Sequence, residues 1–554
     1  MDDSRYALGF DFGTESVRVL VVRADDGRIA AQASSNYAHG VIDDTLPTTG
    51  VKLPADYALQ DARDWLASAA EACKAAVKSA GIKAEAVAGI GVDFTSCTML
   101  PCKCDGTPLH LVAPFDSVAL AWPKLWKHHG AKADTDRINQ VARERKEPWL
   151  ARYGGTIGLE WFFPKVLETL TLAPQAYEAA EVWIEAGDWF VWQLISGPFP
   201  HCEAPDICRS TCQAGYKAMW NADEGYPTPE FFAAVHPKLK DVVTARMPGS
   251  LAAPGQRAGR LTAKAATLLG LEAGIPVSAA IIDAHAGVPG AGVAEAGTMV
   301  LVMGTSSCHM MNSTVERLVP GVAGVVRDGI LPGYFGYETG QASVGDAFAW
   351  AANLLGRSHA ELNERSKALG PGSGGVLALD WLNGCRTPLM DGRLSGSFVG
   401  LTLNTKPEQL YRALLEATAF GLRWIVQTLR EAGVPVERFV ASGGLPGKSP
   451  LLMQIYADVL GEEIRLAASD QSVALGAAIL GRLAAETHEL DPKTVSQAIH
   501  QMARQRDDLT YRPQPESRAS YEKLYALYRS VGACDGPLAT AMRDLRAVGH
   551  VLPE

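Results

Sequence analysis

The 554-residue chain has little positive charge to spare: 51 Lys and Arg stand against 61 Asp and Glu, a net charge of −10. Nucleic acid or an anionic membrane as the main partner needs a basic face, so neither is expected, while a local basic pocket stays open. Cysteine is sparse, with ten residues and no framework spacing. That excludes a disulfide scaffold and implies reduced thiols in the cytoplasm. Zinc spacing is missing too, since neither His201, Cys202, Cys208 and Cys212 nor Cys102 and Cys104 make the close pairs of a structural site. No apolar run reads as a bilayer span. The least charged stretch, about 275–312, is broken by Asp283, His285, Glu295 and several Gly and Pro, and predicts buried strands and loops. The acidic start Met1-Asp2-Asp3-Ser4 runs directly into an apolar segment, so no signal peptide is expected.

A P-loop is absent as well. Gly443-Gly444-Leu445-Pro446-Gly447-Lys448-Ser449 has three residues between its outer glycines where that motif needs four. Lys448 is therefore expected to start a helix rather than to hold phosphate.

In its place stand two Gly-Thr-Ser loops, each set between apolar runs. The first is Phe10-Asp11-Phe12-Gly13-Thr14-Glu15-Ser16-Val17, the second Val302-Met303-Gly304-Thr305-Ser306-Ser307. β-formers lead in and out of both, so each predicts strand–turn–strand, unlike the strand–turn–helix of a dinucleotide fold. Such a turn aims backbone N–H groups and hydroxyls at one spot and makes a concave site for phosphate oxygens. Gly13, Thr14, Ser16, Gly304, Thr305 and Ser306 are the candidate phosphate contacts, with simple turn chemistry as the alternative for any one hydroxyl. Asp11, beside the first turn, is a candidate Mg²⁺ ligand, or else a turn-capping acid.

The pattern predicts an α/β chain of two large domains, 1–288 and 289–490, with a helical extension over 491–554. A third strand near 28–35 follows the first hairpin, and three antiparallel strands at the start suit a ribonuclease-H-like sheet. Helices are expected at about 61–80, 161–171, 181–196, 407–432, 449–460 and 470–486, with irregular chain over 105–160 and a substrate-facing excursion over 198–229. The Gly-rich segment 287–297 reads as the domain junction, after which the hairpin pattern restarts at 298.

Asp283 is the sharpest acid. It ends the apolar strand Val277-Ser278-Ala279-Ala280-Ile281-Ile282, where a carboxylate is costly unless used or paired. In a kinase it would take the proton of an attacking hydroxyl; the residues alone leave a paired structural acid open. Asp93, at the end of Gly89-Ile90-Gly91-Val92, is read as a structural hydrogen-bonding acid. Ser442-Gly443-Gly444 after a strand permits close approach of a nucleoside. Trp122, Trp126, Trp161 and Trp189 are expected in the core.

The chain resembles the FGGY carbohydrate kinases over about 6–490. The carrying stretches are Asp11-Phe12-Gly13-Thr14-Glu15-Ser16-Val17-Arg18, Gly91-Val92-Asp93-Phe94-Thr95-Ser96-Cys97-Thr98, Trp183-Ile184-Glu185-Ala186-Gly187-Asp188-Trp189, Ala214-Gly215-Tyr216-Lys217-Ala218-Met219-Trp220, Asp283-Ala284-His285 and Gly336-Tyr337-Glu338-Thr339-Gly340-Gln341. The resemblance implies two actin-like ATPase domains, with a central cleft that closes on MgATP and a ketopentose. It implies Asp283 as the base, and Lys217, Glu338 and the Ser96 backbone as sugar contacts. The loops at 13–16 and 304–306 would hold phosphates, and Gly443 and Gly444 the adenosine. A homodimer is left open. The rivals are another polyol kinase of the same fold and a nucleotide-driven switch without catalysis.

Overall fold

Burial sets the first sheet. In β1 (Tyr6–Phe12) every side chain but that of Asp11 is buried, and in β2 (Ser16–Arg23) every apolar one is, as expected of strands covered on both faces. The computed structural model describes residues 5–486 and 490–549. β1 and β2 pair antiparallel, and β3 (Ile29–Asn36) pairs antiparallel with β2. β4 (Val87–Phe94) runs parallel to β1, in a register that sets Asp11 beside Asp93. Helix Ala62–Ala80 covers β2 and β3; Asp61 caps its start by accepting from Arg63 N–H, and Gly81 at φ 65° ends it in the left-handed region.

Two short ladders decorate this half: β5 (Met99–Cys102) with β6 (Val182–Glu185), and β7 (Cys208–Ser210) with β8 (Ser250–Ala252). β9 (Arg257–Arg260), β10 (Pro276–Ser278) and β11 (Ile281–Ile282) then complete the sheet, in the order β3-β2-β1-β4-β10-β9, with β11 beside β4.

The second half repeats the plan. β12 (Thr298–Met303) and β13 (Ser307–Ser313) form an antiparallel hairpin. β14 (Gly324–Arg327) and β15 (Phe335–Gln341) extend it on one side. The pair β16 (Leu377–Leu379) and β17 (Ser397–Val399) stands apart. β18 (Arg438–Ser442) and β19 (Ile464–Ala467) run parallel to β12, and β20 (Gln505–Tyr511) closes the edge antiparallel, in the order β14-β15-β13-β12-β18-β19-β20.

Two helices of small residues join the halves. Asp283–Gly290 packs on β12 and β13, and Ser472–Ala484 crosses to lie on β1 and β4. Their approach is backbone to backbone: a Cβ on Gly476 would fall 1.8 Å from the Ala286 carbonyl oxygen, and one on Gly91 1.8 Å from that of Ala477. Only glycine permits either contact.

Several expectations need correction. The extension over 491–554 is not purely helical, because Gln505–Tyr511 is a strand of the second sheet, and residues 550–554 lie outside the described residues. Its polar sequence hides this, since only an edge strand can leave so many side chains in water. The stretch 105–160 holds a helix, Lys132–Glu144, and 181–196 opens with β6 before helix Ala186–Ser196. The glycine-rich junction begins inside a helix, which runs from Asp283 to Gly290. Trp126 is 41% exposed, not core. Residues 1–4, on which the signal-peptide expectation rests, lie outside the described residues. Among the described residues, no helix is long and apolar enough to cross a membrane.

Candidate active site

Both predicted loops are tight turns in which the glycine N–H is already used. Gly13 N–H donates to the Ser16 carbonyl at 2.9 Å, and Gly304 N–H to that of Ser306 at 2.9 Å. The glycines shape the turns. The N–H groups of Thr14, Thr305 and Ser306 have no backbone partner among the described residues and are the ones left for phosphate oxygens. Gly443, at φ 95°, packs against the chain that enters the second turn: a Cβ there would lie 2.5 Å from the Met303 carbonyl oxygen. Gly444 opens on empty space, leaving room for a nucleoside beside that loop. Lys448 is exposed at the end of the five-residue helix Gly444–Lys448, not at a helix start, and does not line the cleft.

Between the two sheets lies a cavity of about 380 Å³ that gathers Asp11, Ser96, Lys217, Asp283, Gly304, Thr305, Ser306 and Glu338. Gly13, Thr14, Ser16, Gly443 and Gly444 stand outside its lining, although Trp126, which does line it, donates from Nε1 to Thr14 Oγ1 at 3.1 Å.

Asp283 opens its helix at the cleft, and its Oδ1 accepts from Ala284 N–H at 2.6 Å. Burial pushes its carboxyl up to about 7, more than that hydrogen bond draws it down. A carboxyl poised near neutrality suits a general base. Lys217 ends the short helix Thr211–Lys217 and donates from Nζ to both Glu338 oxygens at 2.8 Å. Burial works against the charge on each, but the pair overrides it: Lys217 is raised and Glu338 is held below the ordinary glutamate value. The ammonium also lies 5.6 Å over the Trp161 ring.

His285 Nε2 stands 3.6 Å from Glu338, yet both ring nitrogens lack hydrogen-bond partners among the described residues. Burial pulls its pKa down to about 4, so it is a neutral imidazole, packed against the Tyr216 ring at a centroid distance of 4.3 Å with the two planes tilted by 46°. Ser96 sits on a turn whose next residue, Cys97, has φ 59°. The buried Lys165 pins that turn by donating to the Cys97 carbonyl at 2.8 Å.

Asp11 Oδ2 accepts from Arg18 Nη1 at 3.1 Å. Its neighbour Asp93 is fully buried and shares a side-chain hydrogen bond with Asp11, in keeping with the expectation of a structural hydrogen-bonding acid. Burial and the charges of Asp11 and Asp283 hold Asp93 well above the carboxylate range, so it is the neutral acid of the set. No group of three or more His, Cys, Asp or Glu among the described residues forms an all-protein metal cage. A single hard carboxylate beside a phosphate loop fits Mg²⁺, which keeps waters and takes its other ligands from phosphate.

Glu160, Trp161, Cys308 and Arg386 also line the cavity. None carried a local signal, because each sits in irregular chain or inside a strand of the opposite half.

The comparisons agree with this architecture. The model of the FGGY family of carbohydrate kinases, N-terminal domain, matches residues 6–290, and that of the C-terminal domain matches residues 299–485. The ribulokinase of Anoxybacillus flavithermus is 44% identical over 537 residues, covering 95% of this chain and 93% of that protein. That of Mycolicibacterium smegmatis is 43% identical over 558 residues, covering 98% and 96%. Xylulose kinase from Rhodospirillum rubrum superposes with a TM-score of 0.79 at 23% identity, over 97% of this chain and 100% of that one, a likeness of fold alone. The two ribonuclease-H-like, actin-like halves and their shared cleft are thus accounted for, and the chain belongs to the FGGY family of carbohydrate kinases.

Proposed function

We propose that this sugar kinase transfers the γ-phosphoryl group of ATP to the 5-hydroxyl of ribulose, chiefly L-ribulose in arabinose breakdown and also D-ribulose. The observation that carries this reading is the Lys217–Glu338 pair, set in one cavity with Asp283 and the second phosphate loop. Ribulose is uncharged, so it must be read through its hydroxyls, and this pair offers donors and acceptors side by side. The ribulokinases that match almost the whole chain support the same reading.

In the mechanism, Lys217, Glu338 and the Ser96 backbone orient the sugar so that its terminal oxygen faces the γ-phosphorus. The hydroxyl proton passes to the Asp283 carboxylate as the new P–O bond forms and the β–γ bridging P–O bond breaks, releasing ADP. Thr14, Ser16, Thr305 and Ser306 hold phosphate oxygens, and Gly443 and Gly444 leave room for the adenosine. Asp11 would hold Mg²⁺, which supplies charge neutralisation on the phosphates when bound. Closure of the halves excludes water, the competing acceptor. All ten cysteines are free thiols, which supports a reducing, cytoplasmic setting.

A coupled assay of ADP release against L- and D-ribulose, D-xylulose, ribitol and glycerol tests the proposal. Ribulose is expected to give the highest kcat/KM. Turnover of xylulose or glycerol with ribulose inert would replace it with another polyol kinase, and no transfer to any polyol would leave a nucleotide switch.

A further inference from the structure

The cavity holds one cation, Arg386, that makes no ion pair within 4 Å among the described residues. Its lining carries the acids Asp11, Glu160, Asp283 and Glu338 and the bases Lys217 and Arg386. Lys217 is committed to both oxygens of Glu338. Arg386 lines the cavity without an ion pair within 4 Å among the described residues, and its side-chain hydrogen-bond partner is the Cys308 sulfur, a weak acceptor. Its charge stays on, since the nearby Cys308, Glu160 and Glu338 hold the guanidinium protonated in spite of burial.

The strand register locates that charge. β13 and β15 pair Cys308 with Gly340 and Met310 with Glu338. Side chains two apart share a strand face, and Cys308, Met310 and Glu338 all line the cavity. Arg386 Nη1 lies over this face at Gly340, 3.6 Å from where a Cβ would stand, so the missing side chain makes room for it. Along the strand, that point is two residues from the Ser306 turn on one side and two residues from Glu338 on the other, about 7 Å each way. The guanidinium therefore stands between the loop that would hold the nucleotide phosphates and the acid that would hold the sugar.

We propose that Arg386 grips the phosphoryl group in transit, donating to its non-bridging oxygens while the bond to ADP breaks and the bond to the sugar oxygen forms. The inference rests on the sugar kinase reading above. The covalent balance is unchanged: the hydroxyl proton goes to Asp283, ADP leaves, and Arg386 remains a cation throughout. A planar fork of donors suits a phosphoryl group better than a sugar hydroxyl, because it offers parallel hydrogen bonds to two oxygens. Without it, four acids would face the incoming phosphates, with Lys217 already spoken for.

The test separates the phosphoryl group from the sugar. Wild-type enzyme is first assayed on the polyol panel; if ribulose is inert the substrate reading fails, and the variants are then read on whichever polyol is turned over. For Arg386→Gln, kcat is expected to fall about 10²–10³-fold, as for loss of a donor to developing charge. KM for the sugar should stay within about threefold, while the inhibition constant of the phosphorylated product rises at least about tenfold, the loss of one charge-assisted hydrogen bond. Arg386→Lys should recover part of kcat, and added guanidinium should raise kcat of Arg386→Ala, a rescue that a purely structural role would not give. If Arg386→Gln does not fold, Arg386→Lys is read on the same two constants. The proposal is overturned if kcat stays within about fivefold of wild type. It is equally overturned if sugar KM and product inhibition weaken in the same proportion, which would assign Arg386 to the sugar hydroxyls.

Discussion

The two halves carry the same turn on the same sheet, but hold it differently. β3-β2-β1-β4-β10-β9 in the first half corresponds strand for strand to β15-β13-β12-β18-β19-β20 in the second, with β14 as an addition. The first turn closes from Gly13 to Ser16 and the second from Gly304 to Ser306, so the second is one residue shorter. Side chains brace the first: Tyr37 Oη donates to the Gly13 carbonyl at 3.1 Å, and Gln60 Nε2 to that of Thr14 at 2.8 Å. Backbone braces the second, where Val344 and Asp346 N–H groups donate to the Thr305 carbonyl and Gly345 N–H to that of Gly304. Two residues before each glycine, Asp11 stands in one half and Val302 in the other. The same backbone device thus carries an acid in one half and an apolar residue in the other, and under the proposed function that separates a metal-and-phosphate turn from a phosphate-only turn.

The largest effect should come from the acid that only the first half contributes. Asp283→Asn is expected to lower kcat about 10²–10⁴-fold while calorimetry still shows sugar and ATP binding. Because a base works deprotonated and Asp283 is poised at about 7, wild-type kcat/KM should fall tenfold per pH unit below that value and level off above it. An acid limb well under pH 6, or one that survives in the Asn variant, would move the base elsewhere.

Next comes the pair that bridges the halves. Glu338→Ala should raise sugar KM about 10–100-fold with ATP KM nearly unchanged, and should lower Tm, since it strands the buried Lys217 charge. Pairing Lys217→Met with Glu338→Leu should restore Tm without restoring sugar affinity. Recovery of both would mean that the pair only holds the halves together.

Asp11→Asn should shift the Mg²⁺ requirement upward by about tenfold, the scale of one lost charge-assisted contact. Val302→Asn, its counterpart, should leave the Mg²⁺ midpoint in place. Equal responses would erase the division of labour between the two turns.

Gln60→Ala removes a brace of the first turn and should raise ATP KM about 2–10-fold with kcat little changed, the net worth of one hydrogen bond. Smallest of all, Lys448→Ala should keep kcat and both KM values within about twofold, because its ammonium is exposed and away from the cavity. Loss of activity there would restore the near P-loop as a phosphate site.

Much of this was legible in the chain. A hydroxyl-glycine turn between two apolar runs is a local device, closed by hydrogen bonds across two or three residues, so both loops could be read directly. Asp283 stood out because a carboxyl at the end of an apolar strand has few uses. Lys217 and Glu338, 121 residues apart, carried no signal of their own and entered through the family resemblance. Strand β20 was missed because its sequence is polar, and the neutral state of Asp93 because burial and the neighbouring acids that set it are visible only in space.

The sequence by itself determined the repeated turns, the acid at the strand end and the absence of a P-loop, all of which depend on near neighbours along the chain, and the repeat of the hairpin pattern pointed to two sheets. Only the tertiary structure decided which charges meet. It paired Lys217 with Glu338, neutralised Asp93 beside Asp11, and set Arg386 over Gly340 against the Cys308 sulfur. The reason is that the energy of a buried charge depends on what surrounds it in space, and the cleft is walled by segments hundreds of residues apart.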